Sequence, residues 1–336
     1  MKSFPKILVR KIDSGFEGLA GLELKSILKG DLFLERTSPA EDLSHYTQVA
    51  AAKKQRTQEA LIHALSSWPS SVCLELYLTA FPNLSFRPEG RILIALVLRA
   101  FTSTKQSAQE EIASRYLSLM PLLSAHMPEA EFVSVVDEDS LWQITTPFAT
   151  HTGLAVLRRE EVIALSTPLK RLSIGFEKKR VMETDEKHAV RYRFPWMPSL
   201  DDWSRLLTTL LGQLDPIQLV VRIRKAAGAD PGSRLRGAIE TCEFFLSGAK
   251  EYQMTLNRQA SLIRDLSLRQ LNSLTECALD VGTFVFASHP IDESIGNVVG
   301  RAISRSPQDE QDYLFQGGFS YSAVDPVTAL NGTFFP

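Results

Sequence analysis

The sequence predicts an α/β (α+β) protein made of two helix-covered mixed sheets in tandem. Three observations carry this reading. Apolar residues recur with helix spacing in some segments and with strand character in others, and the two kinds alternate along the chain. A chain of 336 residues exceeds the usual size of one hydrophobic core. A charge-broken stretch near the middle, residues 166–187, separates two halves with related grammar. The expected division is therefore 1–165, a linker or hairpin at 166–187, and 188–336.

In order along the chain, GFEGLAGLELKSILKG places leucines at 19, 22, 24 and 28, a spacing that predicts helix packing. TSPAEDLSHYTQVAAAKKQRTQEALIHALSSW follows, with Ser38 as cap and Pro39 in the first turn of a long helix. Pro69 closes it. VCLELYLTAF and RILIALVLRAF read as two strands of a hairpin, SAQEEIASRYLSLMPLLSAH as a helix kinked at Pro121, and EAEFVSVVD as a strand. In the second half, VRYRF and IQLVVRIR flank a helix capped at Ser199, with Trp203, Leu206, Leu207, Leu210 and Leu211 on one stripe. Strand, helix, strand predicts a parallel crossover. Arg234–Glu276 is helical with a break at Gly248, ALDVGTFVFAS is a buried strand, DESIGNVVGRAISR a short helix and FQGGFSYSAVD a last strand. Trp68-Pro69 and Asp215-Pro216 repeat a helix–Pro–strand phrase, which points to a divergent duplication.

Composition narrows the function classes. With 37 basic and 39 acidic residues the formal net charge is −2, so no strong overall field favours nucleic acid or lipid. No apolar run approaches the roughly 20 residues needed to span a bilayer, and the N-terminus lacks a signal-peptide pattern, so a cytoplasmic location is expected. Cys73, Cys242 and Cys277 are too widely spaced for a CxxC metal site and read as buried thiols.

Phosphate-cradling glycine loops are missing from the sequence, as are HExxH and paired histidines at metal-ligand spacing. No cofactor and no metal are expected. The best polar cluster is SHPIDES, where Ser288, His289 and Asp292 follow a buried strand at the end where α/β sites lie. These three residues support a hydrolase-like alternative; the competing reading has Asp292 capping the next helix. Basic segments at 53–56, 234–238 and 169–180 support a second alternative, a nucleic-acid-binding module, although few aromatics interleave with them.

The element order, together with PFATH, the RREE and LSTP runs, FPWMPSLDDW, the strand ending in RIR and ALDVGTFVFAS, resembles the N-terminal region of conjugation and type IV secretion ATPases. HerA-type DNA-translocating ATPases are the wider group. The resemblance implies a non-catalytic assembly or docking domain that contacts like subunits or a partner ATPase motor. It also implies a motor following this region, in the same chain or a neighbouring one. No residue of that motor's catalytic machinery has a counterpart here, so none is carried over.

Overall fold

The structure, a computed structural model, describes residues 4–27, 63–82, 91–128, 130–165, 189–193, 196, 203–226, 230, 232–248, 254–276, 278–304 and 318–330. The long helix expected before Trp68, the cap at Ser199 and the 166–187 segment fall wholly or mostly outside these residues.

Mixed α+β content is as expected, but the strands of the two halves share one sheet. Its strands are β1 (Leu8–Ile12), β2 (Gly15–Ile27), β3 (Val72–Phe81), β4 (Arg91–Thr102), β5 (Ala130–Ser134), β6 (Thr152–Arg158), β9 (Ile217–Lys225), β10 (Leu279–Ala287) and β11 (Phe319–Val324). They form a nine-stranded sheet in the order β1-β2-β4-β3-β9-β10-β6-β11, with β5 also on β2. Every pairing is antiparallel. The join between halves is β3 on β9, from Cys73↔Arg224 to Ala80↔Ile217. In place of two mixed sheets in tandem there is one large antiparallel sheet drawn from both halves and a small second sheet, and strands from either side of 166–187 share the large one.

The expected crossover is corrected too. β7 (Glu160–Ala164) and β8 (Ala189–Arg193) make a separate two-stranded sheet, while both edges of β9 are taken by β3 and β10. With no edge left, β9 has no place for a parallel neighbour.

Strands at the middle of the sheet are buried on both faces, which explains their continuous apolar runs; β3 has only two residues, Leu76 and Phe81, that are not fully buried. One face packs under α1 (Lys105–His126), α3 (Ser204–Leu211) and α6 (Glu293–Ile303), through residues such as Leu74, Leu78, Leu98, Leu219, Val285 and Val299. The other face packs under α2 (Glu138–Thr145) and α7 (Pro326–Leu330), through Leu19, Val97, Val220, Phe284 and Phe286. Pro121 lies on the exposed side of α1, where its missing N–H is no burden, and the helix runs through it.

The glycine-bearing segment at 15–27 is a strand rather than a packing helix. Its apolar residues serve both faces: Ala20 and Leu22 join the α1 side and Leu19 the α2 side, which disguises the two-residue period. Gly18 and Gly21 lie against opposite layers. A Cβ on Gly18 would stand 2.9 Å from the Ala108 carbonyl oxygen of α1, and one on Gly21 2.9 Å from Leu141 of α2.

The region around Gly248 is a helical hairpin, α4 (Ser233–Ser247) and α5 (Met254–Glu276). Gly232 at the start of α4 abuts Leu271 near the end of α5, so the two run antiparallel. With β7 and β8 they enclose a small core of their own: Ile163, Val190, Tyr192, Cys242, Phe245, Ala260 and Ile263.

Candidate functional site

On the α2 face, five neighbouring strands carry charges of alternating sign in a row: Arg10 on β1, Glu17 on β2, Arg99 on β4, Glu75 on β3 and Arg222 on β9. Strand register creates the row. Arg10 lies directly opposite Glu17, and Glu75 directly opposite Arg222. Arg99 reaches both carboxylates between them. Its Nη1 donates to Glu17 Oε1, while Nε and Nη2 meet Glu75 Oε2 at 3.0 and 2.9 Å. Arg222 Nε donates to the other Glu75 oxygen, and the Tyr77 hydroxyl donates to Glu75 Oε2 at 2.8 Å. Arg222 Nη2 also donates to the Ala329 carbonyl of α7 at 3.0 Å, and its guanidinium lies 5.2 Å from the Phe284 ring centroid.

Glu17, Glu75, Arg99 and Arg222 are essentially inaccessible to water. Ions in that setting persist only when matched and hydrogen-bonded. Burial pushes the Glu75 carboxyl up, but the Arg222 and Arg99 charges and the hydrogen bonds from Arg99 and Tyr77 outweigh it and bring it down to about 2. Burial opposes the charge on Arg99; Glu75, Tyr77 and Glu17 reverse that and raise its pKa well above the ordinary value. Burial, with Glu75 nearby, pushes the Cys73 thiol up to about 12, so it is no nucleophile. A second polar pair, Thr79 opposite Gln218, ties β3 and β9 to α2: Gln218 Nε2 donates to Thr79 Oγ1 at 3.0 Å and to the Ile144 carbonyl at 2.8 Å.

Beside the charge row is a cleft of about 290 Å³ between β1, β2, β4 and the two short helices α2 and α7. Arg10 and Arg99 contribute its charged wall and Trp142, Phe148 and Val327 its apolar one. The Arg10 guanidinium sits 5.6 Å from the Trp142 ring centroid.

The sequence-derived cluster is arranged differently. Asp292 is the N-cap of α6, accepting from the Ser294 backbone N–H at 2.7 Å. Hydrogen bonds from Ser294 hold its carboxyl below the ordinary range. His289 faces Asp215 instead, Nδ1 to Oδ2 at 3.6 Å, beyond hydrogen-bond reach. Its backbone carbonyl accepts from Thr152. Among the described residues, no hydrogen bond joins Ser288, His289 and Asp292 to one another.

Of the basic segments, 53–56 and 169–180 lie outside the described residues. In 234–238, Arg236 is paired with Asp230. Among the described residues no group of His, Cys, Asp and Glu converges as a metal site would require, and no helix is long and apolar enough to cross a membrane.

Sequence reasoning passed over the charge row altogether. A signal was present: Glu75, Arg99 and Arg222 each interrupt an otherwise apolar strand, and opposite charges in strands buried on both faces must find each other. No protein-family model matches the chain, and no curated protein matches it.

Proposed function

We propose that the chain is a non-catalytic assembly and docking unit that works in the cytoplasm beside a DNA- or protein-translocating ATPase, as its resemblance implies. The observation that supports this most is the end of the α4–α5 hairpin. Phe244, near the close of α4, is 70% exposed, and Met254, at the opening of α5, is 71% exposed. Both lie in a layer that has its own core. Large apolar side chains that stay exposed on a surface element are characteristic of protein interfaces. The charge row fits the same role by fixing the register of the strands that carry it.

Sedimentation velocity over a range of concentrations tests the reading. The wild-type chain should self-associate or bind its ATPase partner, and Phe244→Asp/Met254→Asp should abolish that association while keeping its circular dichroism spectrum. Unchanged association in the double variant would count against the hairpin; hydrolytic turnover by the purified chain would count against a non-catalytic role.

A further inference from the structure

We propose that two copies of this chain pair through β11, edge to edge and antiparallel, so that the large sheet continues across a two-fold axis. The contact lies on a different element from the α4–α5 hairpin, and the inference goes beyond the docking reading. The pair is then the unit that docks, and what Phe244→Asp/Met254→Asp removes is association beyond the pair.

β11 ends the large sheet on its side. The Arg159 N–H donates to the Gly318 carbonyl at 3.2 Å, and β11 keeps unbroken register with β6 from Phe319↔Arg158 to Val324↔Gly153. Hydrogen-bonded and non-bonded pairs alternate in such a ladder. Ser320, Ser322 and Val324 therefore bond to β6, and the N–H and C=O groups of Phe319, Tyr321 and Ala323 point outward. Among the described residues no further strand takes them. The strand is also held before a partner arrives: the Tyr321 and Phe319 rings lie against Gly296 and Gly300 of α6, so pairing orders little that is not ordered already.

Sheets blunt their open edges with charges, prolines and bulges. The opposite side has such devices. β1 carries Arg10 and Lys11, β5 carries Glu131, and the β2–β5 register shifts between Leu24 and Ser26. FSYSAV on β11 has no charge, no proline and no shift. A two-fold axis brings identical strands together, so a charge of one sign along the edge would repel its copy. With the axis at Tyr321, Phe319 lies opposite Ala323 of the second copy, and every outward backbone group finds a partner.

The charges on α6 favour a second copy over a foreign strand. A Cβ on Gly296 would meet Tyr321 of β11 at 2.6 Å and Leu154 of β6 at 3.1 Å, so the helix lies over the seam between the two strands. Neighbouring strands are about 4.8 Å apart. The two copies of α6 would thus run antiparallel about 10 Å from each other, which is packing distance. Glu293, Asn297 and Arg301 form an exposed stripe at four-residue spacing beside the glycine face. Burial and Glu293 raise the Tyr321 hydroxyl pKa and Arg301 opposes them, which places both charges near β11. Among the described residues neither is in a salt bridge. Antiparallel helices set Glu293 of each copy beside Arg301 of the other.

Hydrogen exchange followed by NMR and sedimentation equilibrium, both on the full chain, test the pairing. Protection of the Phe319, Tyr321 and Ala323 amides should rise with protein concentration, while Ser320, Ser322 and Val324 stay protected throughout. Ala323→Pro removes one outward donor, leaves the β6 ladder intact and should weaken the pair by about tenfold or more. Glu293→Arg and Arg301→Glu each set like charges together twice about the axis and should weaken it by about tenfold. Combining the two reversals should restore affinity to within about threefold of wild type. Both sites are exposed, so the reversals decide the matter if Ala323→Pro does not fold. Pairing should persist in Phe244→Asp/Met254→Asp; its loss there would assign the pair to the hairpin and overturn the proposal. So would a monomer at millimolar concentration, or a double reversal that pairs no better than the single ones. Outward amides equally protected at every concentration would mean that the edge is closed from within one chain, which also overturns it.

Discussion

Replacing Glu75 with glutamine isolates what the charge row contributes. The side chain keeps its size, but the carboxylate shared by Arg99 and Arg222 is gone. Arg99 retains Glu17, yet both guanidiniums stay buried among apolar neighbours. Removing one partner of a buried ion pair costs about 3–5 kcal/mol, and Glu75 serves two arginines and the Tyr77 hydroxyl. The upper part of that range is expected. At about 2 °C of midpoint per kcal/mol for a chain of this length, the melting temperature should fall by roughly 8–10 °C. Urea titration followed by tryptophan fluorescence gives the free energy, and calorimetry gives the midpoint. The control is Glu75→Gln/Arg222→Met, in which one stranded charge is also removed. Its loss should be smaller than the sum of the single losses by about 1 kcal/mol or more. A cost below about 1 kcal/mol for Glu75→Gln, or strict additivity, would refute the reasoning, because neither fits two charges sharing one buried counterion.

Acid should unfold the wild type through the same residue. Glu75 has its pKa lowered from 4.5 to about 2 on folding, so its contribution is complete above pH 4.5 and drains away as pH falls toward 2; Glu75→Gln should flatten that limb of the stability profile measured by urea titration. Gly300→Ala should cost about 1–3 kcal/mol, since the new Cβ would stand 2.6 Å from the Phe319 ring; wild-type stability would mean that β11 is not seated on α6 as described. In a Cys277→Ser background, Cys73 and Cys242, whose thiols burial pushes up to about 12 and about 11, should react with a disulfide reagent only on unfolding. Rapid labelling of either in the native protein would contradict the packing around it.

The sequence made most strands visible but not their partners. VCLELYLTAF, RILIALVLRAF, IQLVVRIR and ALDVGTFVFAS are apolar because helices cover both sides of the sheet, and that pattern is legible residue by residue. Pairing is long-range information. Nothing local to Glu75 announces that Arg222, on the far side of the supposed boundary, lies opposite it. Gly15–Ile27 misleads because glycines at 18 and 21 answer to two different helices, leaving leucines at a spacing that imitates one helical stripe. The Gly296 and Gly300 pair on α6 is similar: its meaning is the Tyr321 and Phe319 rings of β11, where a Cβ on either glycine would stand 2.6 Å from a ring carbon. At SHPIDES, the capping role of Asp292 was readable from position alone, whereas the turn of His289 toward Asp215 depends on β9 and β10 being neighbours.

The hairpin's role is open to direct observation in cells. A photo-reactive phenylalanine analogue at position 244 should form a covalent adduct, identified by mass spectrometry as a second copy of this chain or a motor ATPase. The same group at Gln109, exposed on α1, should form none. Adducts at both positions alike, or at neither, would contradict docking through the α4–α5 hairpin.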